Sequence, residues 1–377
     1  MGPGIASDRI RGGDVIAAKL AVGLCANAHV RAEYIGVGDL ARLGDFASFD
    51  WLESDLESEW HRPPPYDAHA EAALAEFALG LDELIVCHGS PRITGSLLSM
   101  TPRLRLVGEL EGDRLARRID VAACSARGVV AVDTTQGSSY PVSEWALALM
   151  MIGLRDAGAL YRRIINHEDV PSGDTRPDLP FYRRGELEGK TVSMLGCGHI
   201  GRRLIEYLRP FKTPILVHDP YIPIETADAI GFELVGWEAA FALADVVVCL
   251  LPLTPATRHR IGWAELDLIR PDCVFVNVSR GAVVDSDALI ERCREGDISV
   301  CLDVFDPDTI PIDSEIRDLP NVFISPHIAG NTRASRTRFF ELMVDEIDRL
   351  RKGYEPRFQL SDRTLANRAG DPPPPRG

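Results

Sequence analysis

Three short runs in the second half of the chain, DVVVCLLPL, DCVFVNVS and ISVCLDVF, are apolar at nearly every position. A strand with one wet face alternates apolar and polar residues. One that is apolar throughout must be covered on both sides, as in a parallel sheet with helices packed on each face. The runs are separated by helical segments around 237–244, 263–269 and 285–295, and are preceded by KTVSMLG and PILVHD, two further strands flanking the helical IGRRLIEYLRPF. The pattern predicts an α/β fold with a doubly wound parallel sheet.

Upstream the same alternation is coarser. Residues 14–25, LDELIVCHG (81–89) and RLRLVGELEG (103–112) read as strands, with an Ala-rich helical stretch after Pro63, Pro64 and Pro65. Residues 139–165 read as one long helix, with Ser138 or Ser139 near its start, Pro141 in its first turn and Glu144 where a cap could sit. Its continuous apolar face exceeds what one small domain needs, so part of it is expected to meet a second copy. Residues 332–353 read as another amphipathic helix, and the tail ending DPPPPRG as disordered.

With 377 residues, the chain is long enough for two domains. A net charge of −15 argues against a partner that tracks nucleic-acid phosphates or an anionic membrane. The longest apolar stretches, WALALMMIGL and VVVCLLPL, are too short to span a bilayer, and the N-terminus lacks a signal-peptide apolar region. Eight cysteines without a CxxC pair, several within apolar runs, look like buried reduced thiols of a cytoplasmic protein. The nine histidines show neither HxxxH nor HExxH spacing, so no metal site is expected, and no GxSxG elbow is present.

Gly196-Cys197-Gly198-His199-Ile200-Gly201 follows a strand and opens a helix, and Asp219 closes the next strand 18 residues after Gly201. Glycines let the backbone turn sharply and approach a pyrophosphate, which rests on N–H groups at the helix start. Asp219 would accept from the adenosine ribose hydroxyls, and it repels a 2′-phosphate. Pro220 and Tyr221 add no cation, so NAD is expected rather than NADP. The bland alternative is a glycine turn that only packs strand on helix. Cys197 reads as a small turn residue, not a redox centre.

Arg280, Asp303 and His327 follow the apolar runs FVNVS, SVCL and NVFIS, where the carboxyl ends of parallel strands meet a ligand crevice. Together with KTVSMLGCGHIG, HDPY, DVVVCLLPLTPATR, FVNVSRGAVVD, LDVFDPD and SPHIAG, the chain over roughly residues 80–350 resembles the NAD-dependent D-isomer-specific 2-hydroxyacid dehydrogenases. That resemblance implies two doubly wound parallel-sheet domains, a Rossmann cofactor domain inserted into a flavodoxin-like substrate domain. The expected division is 1–112 plus 327–365 for substrate, 113–326 for NAD, and a disordered 366–377. It also implies a homodimer with the 140–165 helix in the interface.

The resemblance further implies that Arg280 binds the carboxylate and keto oxygen of a small 2-keto or 2-hydroxy acid, with His327 as acid/base. Asp303 would then lie on the nicotinamide side, and Pro252 and Thr257 would join Gly196, Gly198, His199, Ile200, Gly201 and Asp219 around the cofactor. Where the family carries a catalytic glutamate, this chain has Asp308, one methylene shorter; a plain turn carboxylate is the alternative role, and Asp306 the fallback partner. In the substrate domain, His88 and Gly89 form a candidate anion-binding turn. The family's glycine-rich loop becomes Gly108-Glu109-Leu110-Glu111-Gly112-Asp113-Arg114, whose acids disfavour a highly anionic substrate unless Arg114, Arg117 or Arg118 turns inward. A second functional class stays open, an NAD(H)-gated regulatory protein. Formate or phosphite oxidation is a third reading, against which stands the glutamine that formate enzymes carry in place of Asp308.

Overall fold

The computed structural model describes residues 19–57, 63–112, 117–173 and 179–370. Two sheets, both parallel throughout, divide the chain. The first contains β1 (Leu20–Ala26), β2 (Ala47–Glu53), β3 (Glu83–Val86), β4 (Leu106–Glu109) and β5 (Val130–Asp133) in the order β2-β1-β3-β4-β5. This is the flavodoxin-like winding. The second contains β6 (Val192–Leu195), β7 (Ile215–His218), β8 (Glu233–Leu234), β9 (Val246–Cys249), β10 (Val274–Asn277), β11 (Ser299–Leu302) and β12 (Val322–Ile324). Its order, β12-β11-β10-β9-β6-β7-β8, is the Rossmann winding extended by one edge strand.

The expected covering of the apolar runs is met in detail. Along β9, Val247 and Cys249 face one buried cluster and Val246 and Val248 the other, with helices on both sides. Register then does something the pattern could not show. Leu195 pairs with His218 and with Cys249, Cys249 with Asn277, Asn277 with Leu302, and Leu302 with Ile324. Six strands therefore end in one row, and the turns that follow them open along one crevice.

Several expectations are corrected. The boundary placed at 112 is too early, because β5 pairs with β4 in the first sheet and the chain leaves that sheet only after Asp133. Residues 139–165 form two helices, Ser139–Leu154 and Ala157–Ile165, broken at Asp156 with φ +47°. Asp tolerates this left-handed backbone, and its carboxylate is held by the buried Arg184. The break lets the second helix follow the β12 edge, where Gly158 abuts Phe323. The strand β2 and the helices Ala28–Tyr34 and Val37–Phe46 were not foreseen.

The long return helix, Arg333–Arg351, is capped reciprocally by Thr332 and Ser335. It buries Phe339, Phe340, Met343, Val344 and Ile347 against Leu24, Ile85 and Leu106 of the first sheet. The disordered tail expected from 366 is also corrected. Phe358 O accepts from Asp133 N at 3.1 Å and Leu360 N donates to Ala131 O at 2.8 Å, and the helix Asp362–Ala369 follows. The apolar Leu360 and Leu365 pack onto the first sheet's core and supply the burial that the polar composition concealed. Residues 371–377, like 14–18, lie outside the described residues.

Candidate active site

The glycine turn follows β6, beside the point where strand order reverses. Gly196 adopts φ +92°, open to glycine at no steric cost. Gly198 caps the helix His199–Leu208 without a side chain in the way, and Gly201 is buried against the turn. Cys197 N donates to Asp219 Oδ2 at 3.0 Å and Tyr221 N to Asp219 Oδ1 at 2.9 Å, so the carboxylate is fixed beside the turn. Burial pushes the Cys197 thiol up to about 12, which keeps it protonated and inert. Ile200 O accepts from Ser143 Oγ at 3.0 Å, anchoring the helix start on the helix Ser139–Leu154. After β9, the Thr257 hydroxyl donates to Pro252 O at 2.6 Å and accepts from Thr254 N at 2.8 Å, so these residues shape the facing loop. A tight positive-φ turn, an exposed helix start and a fixed carboxylate fit a dinucleotide.

On the other side of the switch point, β10, β11 and β12 deliver the polar groups. Arg280 follows β10, with Nη1 donating to Ser279 O at 2.7 Å. Its neighbour Gly281 is pressed against the next loop: a Cβ there would lie 1.9 Å from Phe305 O, so only glycine lets the Arg280 turn meet the segment carrying Asp308. Asp303, almost wholly buried, accepts from Ser325 Oγ at 2.6 Å, Ile328 N at 3.0 Å and Ala329 N at 2.9 Å. Those three donors belong to the loop that carries His327, whose own N–H donates to Asp303 O at 2.9 Å. The loop thereby holds His327 at φ +52°.

His327 Nδ1 lies 2.7 Å from Asp308 Oδ2. The shorter carboxylate reaches the imidazole without a bridging water. Asp306, the fallback, turns the other way and faces His259 Nε2 at 3.3 Å.

The substrate-side turn is built by β1, β3 and β4. His88 O accepts from Asn27 N at 2.8 Å, and Gly89 O accepts from Leu56 N at 3.0 Å and Ser54 Oγ at 2.8 Å. His88 Nε2 lies 3.1 Å from Glu111 Oε2, which also accepts from the Tyr34 hydroxyl. Burial, reinforced by the Glu111 charge, pushes the Tyr34 phenol well up, so it stays a neutral donor. Tyr34 escaped the sequence reading because its helix did. Asn27, a residue type suited to capping, directly after an apolar run was the available signal, and its side chain does accept from Val30 N.

One acid of the loop is paired from within. Glu109 is fully buried at the end of β4 and takes both its hydrogen bonds from Arg118 Nη1, at 2.8 and 2.9 Å. Burial pushes its carboxyl up against the opposing pull of Arg118. Arg118 therefore does turn inward, but toward Glu109, while Arg117 Nη2 donates to Leu253 O of the other domain at 2.8 Å. Asp113 and Arg114 lie outside the described residues.

Residues 147–329 match the family model of the D-isomer specific 2-hydroxyacid dehydrogenase NAD binding domain. The chain is 30% identical over 306 residues to a glyoxylate reductase of Aeropyrum pernix, covering 78% of this chain and 86% of that one. The chain belongs to this family. The sheet carrying Gly196 to His327 is its NAD-binding domain. A D-3-phosphoglycerate dehydrogenase of Methanocaldococcus jannaschii is 29% identical over 273 residues, 72% of this chain and 50% of that one. The chain thus spans about half the length of the phosphoglycerate dehydrogenases it first matches. In fold, the crystal structure of a phosphoglycerate oxidoreductase from Rhizobium etli superposes with a TM-score of 0.77 at 19% identity, covering 92% of this chain and 100% of that one.

All eight cysteines are free and buried. Among the described residues no helix is long and apolar enough to cross a membrane, and no cluster of His, Cys, Asp and Glu could hold a metal ion.

Proposed function

We propose that the protein interconverts a 2-keto acid and a D-2-hydroxy acid, with His327 as acid/base and Arg280 as the carboxylate anchor. The observation that carries this reading is the 2.7 Å contact between His327 Nδ1 and Asp308 Oδ2, on turns leaving the same sheet edge as Arg280. NAD bound in this domain supplies or removes the hydride. The remaining work belongs to the chain. Asp308 orients the ring, so with Nδ1 engaged, proton exchange with the substrate oxygen runs through Nε2. Asp303 acts at one remove, fixing the His327 loop. The Arg280 guanidinium matches a carboxylate bidentately and presents one face of the carbonyl. His88 and the backbone around Gly89 form the opposite wall, with Glu111 beside them as a barrier to a second negative charge. The substrates favoured are therefore small acids with an uncharged tail, such as glyoxylate or hydroxypyruvate, over phosphorylated ones. The working unit in this reading is a homodimer.

Mixing the protein with NADH and a panel of 2-keto acids tests the proposal. NADH is consumed with the small members, and His327→Ala lowers kcat by about 10²–10⁴-fold while NADH affinity stays unchanged. Binding of NADH without turnover of any acid sinks it. The relatives above are reductases and dehydrogenases, and none lends support to a purely regulatory role.

A further inference from the structure

The segment after the return helix crosses from one domain to the other. It is anchored on the first sheet. Phe358 N donates to Glu346 Oε2 at 2.9 Å, Phe358 O and Leu360 N extend the β5 edge, and Leu360 is buried. From that anchor it touches the second domain at three places. The Phe358 ring meets the His199 ring edge-on at 5.8 Å between centroids. The Arg363 guanidinium stacks over the Tyr221 ring at 4.6 Å. Gly370 lies against Pro255 and Ala256, close enough that an added Cβ would sit 2.9 Å from Pro255 Cβ.

These three places share one property. His199 opens the helix behind the glycine turn. Tyr221 follows Asp219, its N–H held by that carboxylate. Pro255 and Ala256 lie inside the Pro252–Thr257 loop. A dinucleotide with its pyrophosphate at Gly198 and its ribose at Asp219 must place its adenosine between the Tyr221 turn and that loop. The helix Asp362–Ala369 spans the same gap. A guanidinium already stacked on one aromatic face offers a flat cationic surface to a purine ring and donors to ribose oxygens.

We propose that this C-terminal helix is a wall of the cofactor site, closing over the adenosine half, and that Arg363 contacts the adenosine. The wall is rooted in the substrate domain, so cofactor binding draws on both domains. The proposal depends on NAD binding by the domain and not on turnover of any acid.

The test reads binding alone. A chain ending at Ser361 retains the Leu360 anchor, and Arg363→Ala in the full-length protein covers the case in which the shortened chain fails to fold. NADH is titrated by fluorescence, and ADP-ribose and nicotinamide mononucleotide by competition. The shortened chain is expected to bind NADH and ADP-ribose at least fivefold more weakly, and Arg363→Ala about threefold, with nicotinamide mononucleotide unchanged in both. Unchanged affinity for all three ligands overturns the proposal and leaves the helix a packing element. Tighter NADH binding overturns it too, because the helix would then obstruct the site, and so does equal weakening of nicotinamide mononucleotide.

Discussion

At the scale of single side chains, Asp308 Oδ2 stands 2.7 Å from His327 Nδ1. The carboxylate, one methylene shorter than the glutamate the resemblance implies, reaches the imidazole directly, and the tight approach at Gly281 keeps the Asp308 segment against the Arg280 turn. Asp308→Asn keeps shape and removes charge. Because the amide can no longer hold the ring through a charged acceptor, kcat is expected to fall about 10–10²-fold. Asp308→Glu restores the residue that the family resemblance implies but lengthens an arm that already stands 2.7 Å from Nδ1, displacing the ring, and is expected to retain no more than about a tenth of the activity. Steady-state kinetics check both. Equal activity in all three proteins would show that the carboxylate is only a turn residue.

Among the secondary elements, the end of β4 buries an ion pair. Arg118 Nη1 donates to both carboxyl oxygens of the buried Glu109, and Arg118 Nε also donates to Ser90 O at 3.1 Å, tying the loop after β4 to the His88 turn. Removing one partner leaves the other charge uncompensated in an apolar setting. Arg118→Met is therefore expected to cost about 3–5 kcal/mol in urea unfolding, and Arg118→Met with Glu109→Leu to recover most of it. If the single variant loses less than the double, the pair is not what holds the loop. The helix Ala157–Ile165 poses a different problem at the same scale. Its Tyr161, Ile164 and Ile165 are exposed, where a monomer gains nothing from apolar side chains. We infer that a second copy covers them. Ile164→Asp with Ile165→Asp is expected to halve the mass seen by sedimentation at micromolar concentration, and an unchanged mass would place any interface elsewhere.

At the scale of the molecule, a buried carboxyl is expected to make stability depend on pH. Glu83 lies in β3 with no solvent exposure, and neither carboxyl oxygen has a hydrogen-bond partner among the described residues. Burial pushes its carboxyl up to about 8, against the pull of Arg105 and with a further push from Asp82. A raised acid binds its proton more tightly folded than unfolded, so its favourable share is complete below the unfolded value near 4.3 and is lost as pH rises through about 8. Glu83→Gln keeps the neutral form at every pH. It is expected to be near neutral at pH 4 and to add about 1–3 kcal/mol at pH 8. Urea midpoints at both pH values decide the matter, and an equal gain at the two would locate the effect in packing instead.

The amino-acid sequence by itself carried the second domain almost whole. Its strands are buried on both faces, so their apolar runs announce them, and the glycine turn, Asp219 and the groups after β10 to β12 sit at fixed distances from those runs. The first domain was only partly legible. The strand β2 alternates weakly, the helices Ala28–Tyr34 and Val37–Phe46 are short, and the end of that domain depended on pairing between β4 and β5, a contact that no local pattern encodes. Tertiary structure alone decided the partners of charged groups. Arg118 went to Glu109, Asp306 to His259 and Asp308 to His327, because the balance between desolvation and pairing is struck where chain segments meet, not within any one of them. The same holds for residues 362–369: their polar composition reads as disorder, and they become a helix where Leu360 and Leu365 find the first sheet's apolar surface to cover.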